Sequence, residues 1–318
     1  MIALSSREPV STSLENALGF CFDALSSREP ASTSLESALT DRTTMIFTRQ
    51  DHETLAGILA EAGRREVMPR FRNLAEGEIR EKRSATDLVT EADEAAERFI
   101  SAELARAFPG AALIGEEAVA ADPALVARLG DAELAFVIDP IDGTLNYASD
   151  LPLFAVMAAV LVRGEVVAAV IHDPIVEDSA MALRGEGAWL GSAGGRSRDL
   201  RVAPAAAPRE MTGMMSWQYF PEPLRSKLPG HMPAFANVSS LRCCGHEYRL
   251  AAAGNGHFLL YGRLSPWDHA PGSLIYAEAG GHVRMLDGQP YRPAQPTLGL
   301  LCAPDAESWQ EIRTILLS

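Results

Sequence analysis

Asp139 and Asp142 lie three positions apart in the hexapeptide Asp139-Pro140-Ile141-Asp142-Gly143-Thr144, directly after an apolar run at residues 134–138. A strand that ends in a carboxylate delivers it to the edge of a sheet, where ligands bind. At this spacing the two acids can serve one metal cluster. Gly143 and Thr144 then open an expected helical turn and offer backbone N–H groups to an anion. Carboxylates beside such a cradle are what a site for Mg²⁺ and phosphate requires.

Three further segments hold residues of the same chemical kind. Gly115-Glu116-Glu117 follows another apolar stretch; by itself it also reads as a solvated turn. Trp267-Asp268 opens an expected helix, where Asp268 by itself reads as an N-cap. Lys82 begins the segment Lys82-Arg83-Ser84-Ala85-Thr86-Asp87-Leu88-Val89-Thr90-Glu91-Ala92-Asp93, which by itself reads as a loop capped into a helix. The chain has only two lysines, Lys82 and Lys227, so each stands out against plentiful arginine.

The elements that position these groups follow from periodicity. Leu55, Ile58, Leu59, Ala62 and Val67 predict a helix over about residues 51–73. Residues 90–108 predict a second helix, with Thr90 and Asp93 as a capping-box-like pair. Residues 154–162 and 166–171 flank Arg163-Gly164-Glu165 as a hairpin, and residues 180–184 and 188–190 flank Gly185-Glu186-Gly187 as another. Residues 247–253 and 268–279 read as helices, the second ended by Gly280-Gly281. Helices, then hairpins, then mixed elements suggest a layered α/β sandwich more than a doubly wound sheet.

Composition narrows the classes. The 318 residues are 47% hydrophobic and 22% charged, as in an ordinary globular protein. No apolar run is long enough for a membrane helix. No basic region precedes an apolar core at the N-terminus, so a cytoplasmic protein is expected. The formal net charge is −14 with no basic stripe, which argues against a nucleic-acid partner. Cys21, Cys243, Cys244 and Cys302 show neither metal-ligand spacing nor a disulfide framework and read as reduced thiols. Residues 3–18 and 24–39 are near-duplicates rich in Ser, Thr, Pro and Glu. Residues 1–44 are therefore expected to be a flexible, non-catalytic extension, a leader before a natural start at Met45, or a docking segment; residues 45–318 are expected to form the folded domain.

In this order the four segments resemble the inositol monophosphatase family, whose pattern runs K…D-x-V-T-x-x-D, G-E-E, D-P-[IL]-D-G-T and W-D with a Gly-Gly helix end. The likeness covers about Asp51 to the C-terminus. It implies the αβαβα sandwich of the inositol monophosphatase and fructose-1,6-bisphosphatase superfamily and a Mg²⁺-dependent phosphatase using two or three ions. Glu116, Asp139, Asp142, Asp268 and the Ile141 carbonyl are implied metal ligands. Glu116 and Thr144 are implied to orient the attacking water, Asp93 to fix the Thr144 hydroxyl, and Lys82 to supply a nearby positive charge. Ile141, Asp142, Gly143, Thr144, Tyr261 and Asp268 are implied to face the substrate, with Asp87 and Glu117 as supporting residues. A homodimer is implied as well. Attack is in line, with no covalent phosphoenzyme.

Rival chemistries lack their signatures. A phosphoaspartate enzyme wants D-x-D, and here the spacing is D-x-x-D. Gly254-Asn255-Gly256 and Gly185-Glu186-Gly187 do not complete G-x-G-x-x-G, and position 250 is Leu, so H-E-x-x-H fails. A non-catalytic relative would have lost an acid, and all are present. Histidinol phosphate and 3′-phosphonucleotides remain alternative substrates, because Tyr261 stands where an inositol-binding carboxylate is expected and offers an aromatic platform.

Overall fold

The computed structural model describes residues 47–318, except 76, 85–86, 193–194 and 295–297, and only the backbone of residues 83, 84, 87, 196 and 197. The repeated N-terminal segment, Cys21 and the Asp87 side chain lie outside the described residues.

The first helix, α1 (Arg49–Ala62), is opened by Thr48. The Asp51 amide donates to Thr48 Oγ1 (3.2 Å) and the Thr48 amide to Asp51 Oδ2 (2.8 Å), so each satisfies a group the helix end would orphan. Leu55, Ile58, Leu59 and Ala62 are buried on one face, as the periodicity requires. The helix stops earlier than its pattern suggests, widening into a π-turn at Gly63–Val67. A two-stranded hairpin follows, β1 (Ile79–Ser84) and β2 (Asp87–Thr90), where the sequence reads as a loop. Helix α2 (Glu91–Ala107) is capped by Thr90, paired with Asp93 as the capping-box reading expects.

Strand β3 (Ala112–Gly115) runs into the short helix α3 (Glu116–Ala121). Strand β4 (Leu134–Asp142) runs into α4 (Thr144–Ala148). Strands β5 (Ala155–Val162), β6 (Glu165–Asp173), β7 (Asp178–Leu183), β8 (Gly187–Ser192) and β9 (Gly195–Asp199) then pair successively and antiparallel. Together they make a seven-stranded sheet in the order β3-β4-β5-β6-β7-β8-β9.

The remaining chain alternates: β10 (Thr212–Ser216), α5 (Leu224–His231), β11 (Asn237–Ser239), α6 (Cys244–Ala252), β12 (Phe258–Tyr261), α7 (Pro266–Glu278), β13 (His282–Met285), β14 (Leu300–Ala303) and α8 (Ala306–Leu317). Its strands form a five-stranded sheet, β11-β10-β12-β14-β13.

Period-2 burial decides the layering. On β5, Val156, Ala158 and Val160 pack with Leu55, Leu59 and Ile100 of α1 and α2. The alternate residues Met157, Ala159 and Leu161 pack with Tyr248, Ala251 and Ile275 of α6 and α7. On β12, Leu259 and Tyr261 join that middle core, while Phe258 and Leu260 face Trp309 and Ile312 of α8. The order is helix, sheet, helix, sheet, helix, the expected αβαβα sandwich. Each fully buried Leu, Ile, Val or Phe contributes about 1.5–3 kcal/mol, so a sheet covered on both faces is a stiff support.

Candidate active site

Two strand ends build the floor of a cavity of about 350 Å³ whose lining includes Glu116, Asp142, Gly143, Thr144 and Asp268. Strand β3 hands Glu116 to the first position of α3, and β4 ends on Asp139 and Asp142. The pairing of β4 with β5 shifts register between Asp139 and Asp142. Such a bulge re-aims side chains; Asp142 lines the cavity, and Asp139 is buried close enough to be repelled by Glu116, Asp142 and Asp268.

Glu116 is held by groups that local sequence does not disclose. Glu97 reaches from α2 and caps α3, accepting from the Glu117 amide (2.7 Å) and the Ala118 amide (2.8 Å). Gly115 makes room for it, since a Cβ there would lie 2.2 Å from the Glu97 carboxyl carbon. Lys82, brought in by β1, donates from Nζ to Glu116 Oε1 (2.8 Å) and Glu117 Oε1 (2.5 Å). Burial disfavours the ammonium, but the two glutamates outweigh it and raise the Lys82 pKa above its ordinary value. Glu117 is thus a direct partner of Lys82.

Thr144 and Asp93 meet as expected. Thr144 Oγ1 lies 3.1 Å from Asp93 Oδ1 and 2.9 Å from the Ile141 carbonyl, so its single proton has two acceptors within reach. The other Asp93 oxygen accepts from the Thr90 amide (2.8 Å) and hydroxyl (2.5 Å). One carboxylate therefore caps α2 and grips the Thr144 hydroxyl.

Asp142 is tied across the middle layer to α6. Its Oδ2 accepts from the Gly245 amide (2.6 Å) and Cys243 Sγ (3.0 Å), its Oδ1 from the Cys244 amide (3.3 Å). Cys244 Sγ donates to the Asp268 carbonyl (3.1 Å), linking α6 to the first turn of α7. Sequence patterning treats these cysteines as core thiols; the structure leaves them unbridged and makes them donors to a floor acid.

Burial pushes the floor carboxyls upward: Glu116 to about 7 and Asp142 to about 6. Asp139, fully buried and repelled by Glu116, Asp142 and Asp268, is raised well above the carboxylate range. Asp93 and Glu117 are also raised by burial, each to about 7. Among the described residues, no three His, Cys, Asp or Glu side chains converge into a ready ligand set. Lys82 bonds Glu116 and the α6 donors bond Asp142, while the acids repel one another through space. Asp139 Oδ1 is nonetheless buried with no hydrogen-bond partner. An all-oxygen set of mutually repelling acids, one with an orphaned oxygen, fits a hard divalent cation.

The cavity wall differs from expectation. Tyr261 lines it but is 2% exposed, its ring packed against Tyr248 and His269 at centroid distances of 5.3 and 4.5 Å. Its hydroxyl donates to Glu247 Oε2 (2.9 Å). It is therefore a structural wall rather than an open platform. Glu247 Oε1 accepts from the Leu241 amide (2.7 Å) and Ser240 hydroxyl (3.2 Å).

A larger cavity, about 710 Å³, lies between α1 and strands β6–β8. It is lined by His52 and His172, whose pKa values burial lowers to about 4, and by Trp189. Its two lining arginines, Arg49 and Arg64, are paired with Glu186 and Glu61, so size alone does not identify the reactive site.

The profile described as the inositol monophosphatase family matches residues 50–316. A curated relative from Thermotoga maritima, named fructose-1,6-bisphosphatase/inositol-1-monophosphatase, is 30% identical over 215 residues, 66% of this chain and 76% of its own. The Pseudomonas aeruginosa protein named Nus factor SuhB is 33% identical over 217 residues, 65% of this chain and 75% of its own. The solved structure of inositol monophosphatase-II from Staphylococcus aureus MSSA476 matches with a TM-score of 0.67 at 26% identity, covering 81% of this chain and 89% of that one.

Proposed function

The chain belongs to the inositol monophosphatase family and is a phosphoric monoester hydrolase, and from that premise we propose that it uses Mg²⁺, as two or three ions, to hydrolyse a small phosphate monoester with water. The observation that carries the metal dependence is the orphaned Asp139 Oδ1 among mutually repelling floor acids. Glu116, Asp139, Asp142, Asp268 and the Ile141 carbonyl would hold the ions. Mg²⁺ bound there supplies Lewis acidity and lowers the pKa of water from about 15.7 toward neutrality.

The remaining work falls to the chain itself. Glu116 and Thr144 hold the attacking water, and the grip of Asp93 on Thr144 Oγ1 sets the direction of the hydroxyl's lone pairs. Thr144 is too weak a base to ionise water; its value is in positioning. Lys82 offsets the charge of Glu116 and Glu117. The Gly143 and Thr144 amides face the phosphate. Water adds to phosphorus as the ester oxygen leaves and takes a proton, giving alcohol and inorganic phosphate.

Tyr261 and Glu247 satisfy each other in the wall, so myo-inositol 1-phosphate is not the preferred substrate. Histidinol phosphate and 3′-phosphonucleotides are the alternatives to compare. A homodimer is carried over from the family resemblance; no helix among the described residues is long and apolar enough to cross a membrane.

The test is phosphate release from a panel of small monoesters with Mg²⁺, after EDTA, and after Mg²⁺ is restored. Turnover that stops and returns is expected. Turnover indifferent to EDTA would sink the metal-dependent reading.

A further inference from the structure

Two adjacent thiols stand where the cavity floor meets the middle helical layer. Cys243 precedes α6 with an extended backbone (φ −156°, ψ 99°), and Cys244 opens the helix. In a continuous strand, neighbouring side chains point to opposite faces. Here the change from extended to helical backbone turns both sulfurs toward one carboxylate. Cys243 Sγ lies 3.0 Å from Asp142 Oδ2, and Cys244 Sγ lies 3.4 Å from Asp142 Oδ1. Both residues line the 350 Å³ cavity. Cys243 is buried and Cys244 half-buried, so a reagent entering the cavity meets Cys244 first.

The two thiols stay unbridged for a geometric reason. The peptide between them is trans, since the cis bond among the described residues is Glu222-Pro223. A trans peptide holds neighbouring Cα atoms about 3.8 Å apart, closer than the roughly 4.4–6.8 Å of ordinary disulfides. Direct closure between the sulfurs would strain that peptide. One atom set between them enlarges the ring and removes the conflict. That atom must be soft enough to prefer sulfur to the oxygens around it. Cys302, the other cysteine among the described residues, is fully buried in β14 and does not line the cavity.

Cys243 also touches the anion cradle. Gly143 sits at φ 90°, and a Cβ there would lie 3.1 Å from Cys243 Cβ and 3.4 Å from its sulfur. A group bound to that sulfur presses on Gly143 and takes a donor from Asp142 in one event.

We infer that Cys243 and Cys244 form a chelating dithiol site for trivalent arsenic, and that filling it shuts the hydrolytic site beside it. An organoarsenous acid, RAs(OH)₂, exchanges its two hydroxyls for the two sulfurs. Two As–O and two S–H bonds break, while two As–S and two O–H bonds form as two waters leave. Arsenic stays trivalent, and nothing is oxidised or reduced. The capture is a property of the thiols; only its effect on turnover rests on the hydrolase reading above.

Phenylarsine oxide, which water converts to such an acid, tests this on the full chain. Intact mass is expected to show one phenylarsenic group per chain with the melting transition retained. Peptide mapping after alkylation should find Cys243 and Cys244 alone protected. Cys243→Ser and Cys244→Ser should each weaken capture about a hundredfold, because the second, linked bond is lost. Cys302→Ala should leave capture unchanged. Turnover of p-nitrophenyl phosphate with Mg²⁺ should fall in proportion to the adduct and return with dithiothreitol, but not with the same concentration of mercaptoethanol. Protection of another cysteine, reversal by the monothiol, or capture indifferent to either serine variant would overturn the dithiol site. Full capture with undiminished turnover would overturn its link to the reaction. Capture at these thiols by a chain that hydrolyses no monoester even when unlabelled would overturn the hydrolase reading alone.

Discussion

The floor and the wall of the cavity each bury carboxylates, and in both burial raises the pKa toward neutrality. They differ in their partners. Glu247, in the wall, is 1% exposed and accepts from Tyr261, Leu241 and Ser240. Asp139, in the floor, is equally buried, keeps one oxygen unpartnered and faces three other acids. A buried carboxylate with donors on every side is architecture; one without them takes up a proton or a counter-ion. Burial alone would have ranked these acids together. Their donors separate a carboxylate satisfied by the protein from the one proposed to hold metal.

The sharpest way to break this contrast is Asp139→Asn. Removing a shared floor charge should cost about 10³-fold in kcat, roughly 4 kcal/mol of transition-state stabilisation. Near-wild-type turnover at saturating Mg²⁺ would place the reactive acids elsewhere. Glu97→Gln comes next. The α3 amides lose one carboxylate acceptor, Glu116 loses its support, and kcat/KM should fall about tenfold to a hundredfold. An unchanged value would mean that Lys82 alone suffices to place Glu116.

Titration probes the floor as a whole. Asp93, Glu116 and Glu117 have folded-state values of about 7, above the ordinary carboxylate value, so the folded state favours their protonated forms. Their contribution to stability is complete below the ordinary value, near pH 4, and is lost as pH rises through about 7. The metal-free protein should lose roughly 5 °C in Tm between pH 5 and pH 8, and Mg²⁺ should restore more at pH 8 than at pH 5. A metal-free Tm that climbs over this range would contradict the repulsion. The smallest effect belongs to the wall: Tyr261→Phe removes one donor from Glu247 and should cost about 1 kcal/mol, roughly 2–4 °C in Tm. A larger loss would make the wall more than support.

Legibility followed the range of the interactions. Asp139, Asp142 and Thr144 could be found because a strand, its terminal acids and the following turn are contiguous. Glu116 and Asp268 gained meaning only from their order along the chain. Glu97 lies in the middle of α2, where a glutamate reads as a solvated face; its partners are 20 and 21 residues away. The thiol contact to Asp142 spans 101 residues and depends on how the end of β4 meets α6. Tyr261 was legible as a lining residue, but its packing against Tyr248 and His269 is tertiary. The layered sandwich was legible because helix and strand periods alternate in blocks, whereas the π-turn after α1 leaves those periods unmarked.

The middle helical layer has a consequence for how such a protein can diversify. Asp139 and Asp142 ride on β4 and Glu116 opens α3 directly after β3, while Ser216, Gln218, Tyr219 and Tyr261 of the opposite side come from β10, β12 and the turn after β10. Helices α6 and α7 stand between the two and contact both. Tyr219 stands apart from the acids, whereas Arg242 precedes the Cys243 and Cys244 donors to Asp142 and the Arg263 carbonyl bonds His269 beside Asp268. The far side of the cavity can therefore vary in sequence where its residues are not tied to Asp142 or to the turn that carries Asp268.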